Sequence, residues 1–162
     1  MKILLIGGTG NISSDCAELL HRQGHEVMIL SRGANPVPQQ YRAVVADRKD
    51  PAAMRNALQG IEFDVSINFL GYLVPELEID FAVLNGRISQ YIFISTAMVY
   101  ALPHRILPIT ENNPIGNPYS DYAQNKEKCE NWLMEKFRAE KFPVTIVRPS
   151  HTYSRLWIPN PI

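Results

Sequence analysis

The sequence has few of the features that mark secreted, metal-binding or membrane-spanning chains. Its two cysteines, Cys16 and Cys129, lie far apart, and neither has metal-ligand spacing around it. This argues against a disulfide framework and predicts no metal site. No apolar run reaches the roughly 18 residues of a membrane span, and the apolar stretch at residues 3–6 is too short for a signal-peptide core. We therefore expect a cytoplasmic chain with no membrane partner.

Net charge is also absent, because 16 Lys and Arg residues balance 16 Asp and Glu residues. No net field draws the chain toward the phosphates of a nucleic acid, so we expect no nucleic-acid partner. The 162 residues favour one domain, residues 1–162. A chain of this size buries about 70% of its unfolded surface, which is enough for a sizeable core.

Short apolar runs alternate with segments of helical periodicity along the whole chain. The pattern predicts strands at residues 2–6, 26–30, 43–46, 65–70, 91–95 and 144–147, and helices at residues 14–23, 51–58, 76–84 and 119–141. Such alternation indicates a parallel sheet, and continuously apolar runs at 3–6, 91–94 and 144–147 indicate strands buried on both faces. The predicted fold is α/β: a doubly wound, Rossmann-like parallel sheet of about six strands with helices on both faces.

A glycine-rich turn, Gly7-Gly8-Thr9-Gly10-Asn11-Ile12-Ser13, connects the first predicted strand to the first predicted helix. In such a turn Gly7 reverses the backbone, Gly10 lets the main chain approach a pyrophosphate, and the helix N-terminal amides face the phosphates. Ser13 replaces a third glycine, and its hydroxyl would add a donor. The alternative is a purely structural turn. The turn predicts dinucleotide contacts from Gly7, Thr9, Gly10, Asn11 and Ile12.

Two positions indicate which dinucleotide is bound. Ser31 and Arg32 end the second predicted strand, where an NAD site would offer Asp or Glu to the adenosine ribose. Because Arg32 can pair with a 2′-phosphate, NADP is the preferred cofactor and NAD the second choice; otherwise Arg32 is a solvated loop charge. Asp47, just after the third strand, either hydrogen-bonds the adenine amino group or caps a turn.

A tyrosine and a lysine on the last predicted helix are candidates for proton transfer. Of the seven tyrosines, only Tyr122 has lysine, Lys126, at the fourth following position, which places both on one helix face. An adjacent ammonium favours the phenolate and would lower the tyrosine pKa. The alternative is an exposed tyrosine beside a solvated lysine. Thr96 ends the fifth predicted strand, at the sheet edge where such folds bind ligands, although a threonine there also serves as a cap.

Four motifs occur in the order Gly7-x-x-Gly10-x-x-Ser13, Ser95-Thr96-Ala97-Met98-Val99-Tyr100, Tyr122-x-x-x-Lys126 and Val147-Arg148-Pro149. Together they resemble the extended short-chain dehydrogenase/reductase family, the NAD(P)-dependent epimerases and dehydratases that act largely on nucleotide sugars. The resemblance implies that Tyr122 is the catalytic acid or base, that Lys126 holds the nicotinamide ribose, and that Thr96 hydrogen-bonds the reacting oxygen. It implies further cofactor contacts in segments 68–71 and 149–152, among them Phe69, Leu70 and Pro149.

Two departures from the family pattern narrow the implied activity. Ala97 and Met98 follow Thr96 where sugar dehydratases carry Asp-Glu, which disfavours dehydration relative to epimerisation or carbonyl reduction. Family members also continue well past the sixth strand, so we expect the substrate-binding region to be largely absent. One alternative is a non-catalytic dinucleotide-binding regulator or truncated subunit. Another is RNA binding, as in some plastid relatives, but RNA binding needs a basic surface, which zero net charge does not indicate. A homodimer through the tyrosine-bearing helix is also compatible with the resemblance.

Overall fold

The computed structural model describes residues 1–153, which form one sheet and the helices packed on it. The strands are β1 (Lys2–Ile6), β2 (Glu26–Ser31), β3 (Arg42–Val45), β4 (Val65–Asn68), β5 (Gln90–Ile94) and β6 (Val144–Val147). All neighbouring pairs are parallel, and the strand order is β3-β2-β1-β4-β5-β6. The winding reverses between β1 and β4, which opens a crevice at the carboxyl ends of these strands. The predicted Rossmann-like fold is confirmed.

Local capping chemistry sets the helix boundaries. The helices are α1 (Asn11–Arg22), α2 (Pro51–Ala57), α3 (Val74–Leu84) and α4 (Asp121–Glu140), and a short 3-10 turn covers Ala97–Val99. Helix α4 begins after Ser120, whose hydroxyl oxygen accepts the Ala123 N–H, and ends at Lys141 in the left-handed conformation, with φ 58°. Helix α3 begins two residues before the predicted start, because Glu76 accepts the N–H groups of Tyr72 and Leu73.

Three helices cover one face of the sheet and one helix covers the other. Helices α2, α3 and α4 pack on one face, around Met54, Leu77 and Leu133, whereas α1 packs on the other through Ala17. The prediction that residues 144–147 are buried on both faces is wrong, since Val147 is 41% exposed. Strand β6 lies at the sheet edge, and α1 packs against the other half of the sheet.

Within residues 1–153, no helix combines the length and the apolar character that crossing a bilayer requires. Helix α4, suggested above as a dimer surface, directs most of its apolar side chains inward. Leu133 is fully buried, Trp132 packs against the core, and Phe137 is 45% exposed. The homodimer remains a prediction.

Candidate functional site

A cleft of about 720 Å³ lies at the carboxyl ends of the strands. Its volume falls within the roughly 300–1,000 Å³ that is usual for small-molecule sites. The catalytic and cofactor residues that the sequence analysis named one by one all line it: Gly7, Thr9, Gly10, Asn11, Ile12, Ser31, Arg32, Asp47, Phe69, Leu70, Thr96, Tyr122, Lys126 and Pro149. Within the predicted segments 68–71 and 149–152, Asn68, Gly71 and His151 do not line it. The fold therefore brings the candidate cofactor and catalytic residues to one place, although their individual roles remain predictions.

The glycine turn packs closely against β2 and is open to the cleft at Gly10. Gly7 adopts φ 85°, and its N–H donates to the Leu30 carbonyl at 3.0 Å, which reverses the chain against β2. A Cβ added at Gly8 would lie 2.8 Å from the Ile29 side chain, whereas one at Gly10 would meet only the Ser13 hydroxyl, at 3.3 Å. Gly8 thus allows close packing on β2, and Gly10 leaves the main chain open to the cleft. These residues fit a dinucleotide diphosphate at the start of α1.

Ser13 does not supply the extra ligand donor that the sequence suggested. Its hydroxyl oxygen accepts the Gly10 N–H at 2.8 Å, and its O–H donates to the Gly10 carbonyl at 3.3 Å. The expectation is wrong because the side chain is buried and its hydrogen-bonding capacity is used inside the turn.

The adenosine end of the cleft is formed after β2 and β3. Arg32 is exposed there, and within residues 1–153 it makes no ion pair. The Asp47 carboxylate accepts the Lys49 N–H at 3.0 Å, so Asp47 caps a turn while its side chain also lines the cleft. Both alternatives given for Asp47 therefore remain compatible with its position.

A buried polar network supports the cleft wall after β4. Asn68 donates to the Asp80 carboxylate at 2.5 Å, and its side-chain oxygen accepts the Leu70 N–H at 2.7 Å. Arg48 donates to the same carboxylate at 3.0 Å and to the Leu70 carbonyl at 2.6 Å. Burial raises the Asp80 pKa, whereas Arg48 opposes that shift. Asn68 is therefore a support for residues 69–70 and does not itself line the cleft.

Lys126 is almost fully enclosed, with 2% of its surface exposed. Its Nζ donates to the carbonyls of Gly71 and Ile94, each at 2.7 Å, and lies 5.9 Å from the Tyr122 ring centroid. Burial lowers the Lys126 pKa to about 8. Burial and the neighbouring Tyr72 raise the Tyr122 pKa, so the predicted lowering is wrong. The physical reason is that the Lys126 ammonium donates to the two carbonyls and not to the phenol oxygen.

Thr96 is largely buried at the end of β5 and serves as a cap. Its Oγ1 accepts the Met98 N–H at 3.2 Å, which begins the 3-10 turn. It also lines the cleft that Tyr122 lines, so the capping role that the sequence left open coexists with a place in the candidate site.

An ion pair fixes α4 to the same edge of the sheet. Glu130 of α4 accepts bidentate hydrogen bonds from Arg148, with Arg148 Nη2 2.7 Å and Nε 3.1 Å from the carboxylate oxygens. Ser95, which follows β5, donates to Glu130 at 2.5 Å, and Arg148 Nη1 donates to the Tyr100 hydroxyl at 3.2 Å. Glu130 is therefore buried but satisfied, and it ties the helix that carries Tyr122 to the ends of β5 and β6.

Sequence reasoning missed several residues that line the cleft, above all Tyr72. Its ring centroid lies 6.2 Å from that of Tyr122 and 5.0 Å from Lys126 Nζ. The available signal was an aromatic residue a few positions after β4, at the ligand-binding edge of the sheet. The other missed residues that line the cleft include Ala34, Asn35, Arg48, Lys49, Glu76 and Ser95, whereas Ser150 and Thr152 belong to the predicted segment 149–152.

Comparisons with known proteins agree with this geometry. A family model described as NAD(P)H-binding matches residues 7–155. UDP-glucose 4-epimerase from Lactobacillus helveticus is 26% identical, over 91% of this chain and 51% of its own length. Chloroplast stem-loop binding protein of 41 kDa b from Arabidopsis thaliana is 29% identical, over 96% of this chain and 43% of its own. The chain thus spans about half the length of the curated relatives it matches.

Among solved structures, UDP-glucose 4-epimerase from Bifidobacterium longum, in complex with NAD+ and UDP, superposes with a TM-score of 0.80 at 21% identity. The match covers 91% of this chain and 52% of that one, and it shows the shared fold. The family model, the fold and the residues gathered in the cleft lead to one assignment. This chain belongs to the NAD(P)H-binding family, within the epimerase-like, extended short-chain dehydrogenases/reductases.

Proposed function

We propose that this chain carries the dinucleotide site and the proton-transfer group of an NADP-dependent epimerase or reductase. The substrate is a nucleotide sugar or a related carbonyl or alcohol. The observation that carries the proposal is that Tyr122, Lys126 and Thr96 converge on the cleft that contains the glycine turn. The names of the epimerase relatives support a nucleotide sugar, and the absence of Asp-Glu after Thr96 disfavours dehydration.

The proposed roles follow the order of the residues along the cleft. The glycine turn and the start of α1 hold the diphosphate, and a bound nicotinamide supplies or accepts the hydride. Tyr122 gives a proton to the substrate oxygen when a carbonyl is reduced, and takes it back when an alcohol is oxidised. An ordinary tyrosine hydroxyl is protonated at neutral pH. Burial raises the pKa of Tyr122 further, which suits the first direction. Thr96 holds the same oxygen by a hydrogen bond.

NADP preference is part of the proposal and rests on Arg32. The guanidinium is exposed at the adenosine end of the cleft, where it can pair with a 2′-phosphate. Nucleic acid is not a proposed partner, although one relative is named for stem-loop binding, because 16 basic and 16 acidic residues leave no net charge.

The test compares Tyr122→Phe with the parent chain and with Tyr119→Phe. Tyr119 is 77% exposed and does not line the cleft, so it is a matched control. We expect Tyr122→Phe to reduce turnover of UDP-sugars about 10²- to 10⁴-fold while NADPH affinity, measured by fluorescence titration, changes little. Turnover unchanged in Tyr122→Phe would contradict the acid/base role. NADPH binding without turnover of any sugar by the parent would favour a non-catalytic dinucleotide-binding module.

A further inference from the structure

Three aromatic rings and two carbonyls surround the Lys126 ammonium. The Nζ atom lies 4.6 Å from the Phe93 ring centroid, 5.0 Å from that of Tyr72 and 5.9 Å from that of Tyr122. All three distances are within the range of about 6 Å at which a cation is attracted to a ring face. The carbonyls of Gly71 and Ile94 take two of its three N–H groups. One N–H therefore remains for a ligand.

The walls of this enclosure are not equivalent. Phe93 is fully buried and forms the wall on the core side. Tyr72 and Tyr122 line the cleft and are 45% and 42% exposed, so they separate the ammonium from solvent. Tyr122 already has a role in the proposed chemistry, whereas Tyr72 belongs to no motif. The Tyr72 ring is the closer of the two to Nζ.

The backbone that carries Tyr72 is fixed from several directions. The Tyr72 N–H donates to Glu76 Oε2 at 2.8 Å, and that carboxylate lies 3.6 Å from Arg48 Nη1. The preceding residue, Gly71, has no free space around it, since a Cβ there would lie 2.8 Å from the Phe93 ring. The carbonyl of Gly71 in turn accepts from Lys126. The position of the Tyr72 ring is thus determined by the same segment that binds the ammonium.

We propose that Tyr72 is a positioning residue, whose ring closes the cleft side of the enclosure and holds the Lys126 ammonium with its remaining N–H available to the bound dinucleotide. This inference rests on the proposed function, because it assigns Tyr72 a role through Lys126. The ring carries the effect, and the hydroxyl does not. In the competing role, the Tyr72 hydroxyl acts directly on the substrate. That role predicts that removing the hydroxyl alone, as in Tyr72→Phe, is as harmful as removing the whole ring.

Site-resolved lysine labelling tests the enclosure without reference to activity. Reductive methylation followed by mass spectrometry would compare Lys126 with Lys49, whose side chain is 74% exposed. Tyr72→Leu should accelerate Lys126 labelling about fivefold to thirtyfold, the range expected when a partly buried cation–π contact is lost. Tyr72→Phe keeps the ring and should retain protection. Tyr119→Leu, which also removes an exposed tyrosine, should leave Lys126 protected.

Turnover provides the second readout. In Tyr72→Leu we expect kcat to fall about fivefold to thirtyfold, the factor expected for labelling. Tyr72→Phe should retain most of the parent kcat. Equal Lys126 labelling in Tyr72→Leu and the parent would overturn the proposal. Turnover in Tyr72→Phe as low as in Tyr72→Leu would also overturn it and assign the role to the hydroxyl. If the parent shows no turnover, the proposed function fails, while the labelling comparison still decides whether Tyr72 encloses Lys126.

Discussion

At the scale of the residue, the burial of the Lys126 ammonium has a cost in stability. An ammonium that is 2% exposed loses its hydration, and two carbonyls and three rings replace water only in part. The nearby acidic residues Glu76 and Glu130 oppose the shift, yet burial dominates and the Lys126 pKa falls to about 8. Stability that depends on this residue must therefore depend on pH.

Lys126→Met should reveal that dependence. Between the folded pKa of about 8 and the ordinary 10.5, the unfolded chain binds a proton that the folded chain releases, so the contribution of Lys126 to stability rises with pH through this window. The unfolding free energy of the parent minus that of the variant should therefore increase by up to about 3 kcal/mol from pH 7 to pH 10. Denaturant unfolding of both proteins measures this difference. A difference that is constant with pH would contradict the prediction.

Other groups titrate in the same window, and the comparison controls for them. Burial raises the Cys129 pKa to about 11, which makes its contribution fall as pH rises. Cys129 is present in both proteins, so the part of its effect that burial causes is removed when the two unfolding free energies are subtracted. The part that comes from the Lys126 charge belongs to the measured difference.

Single residues also show where prediction from sequence ends. The glycine turn and the Tyr122–Lys126 pair were predictable as cleft residues, because each is a short motif in the sequence: the turn covers residues 7–13, and the pair is four positions apart on one helix. The hydrogen bonds of Lys126 were not predictable, since its two carbonyl partners lie 55 and 32 residues away in the chain. The prediction of a lowered Tyr122 pKa was wrong for the same reason, because it depended on where the Lys126 ammonium donates.

At the scale of the element, the Arg148–Glu130 pair connects α4 to the edge of the sheet. The Glu130 side chain is 3% exposed and that of Arg148 20%, so removing one partner leaves a charge without compensation in a buried place. Glu130 lies two turns after Tyr122 on α4. Ser95, which donates to Glu130, directly precedes Thr96 in the chain. The pair therefore influences both fold stability and the relative placement of the proposed catalytic groups.

Arg148→Met should destabilise the chain by about 3–5 kcal/mol, as measured by urea unfolding. The double variant Glu130→Met/Arg148→Met should recover most of that loss, because no unpaired charge remains. Lys136→Met is the control, since it breaks the partly exposed Lys136–Glu140 ion pair of the same helix. It also removes the contacts of Lys136 with the Phe81 and Trp132 rings, and it should shift the midpoint only slightly. A loss in Arg148→Met no larger than that of the control would contradict the prediction.

The bounds of two strands were predictable from their apolar runs, whereas the burial of an edge strand was not. Strands β1 and β6 match the apolar runs from which they were predicted. Burial of β6 was not predictable, because an apolar run is the same in a central and an edge strand. The 3-10 turn after Thr96 was missed, since it depends on one side-chain hydrogen bond.

At the scale of the whole molecule, the cleft joins the two halves of the sheet. It is lined from Gly7 and Arg32 on one side to Thr96 and Tyr122 on the other. A ligand that contacts both sides stabilises only the folded chain, and its effect on unfolding reports affinity. Cofactor preference is therefore measurable without a known substrate.

NADPH should stabilise the parent chain more than NADH at equal concentration. At a concentration of about 100 times its Kd, NADPH should add about 2.7 kcal/mol, which is a rise in Tm of roughly 5–10 °C. Arg32→Ala should reduce the NADPH shift by about half, as a tenfold loss of affinity requires, and leave the NADH shift unchanged. Equal shifts with NADH and NADPH in the parent would show that Arg32 does not select the 2′-phosphate.

The central position of β1 has a consequence for synthesis on the ribosome. Strand β1 pairs with β2 on one side and with β4 on the other, yet β1 is made first. Its partner on one side is complete at Ser31, whereas its partner on the other ends at Asn68. Throughout the interval, the nascent chain presents a fully apolar strand, residues 3–6, with one edge unpaired. An unpaired strand edge can pair with another chain, so this interval exposes the growing polypeptide to aggregation.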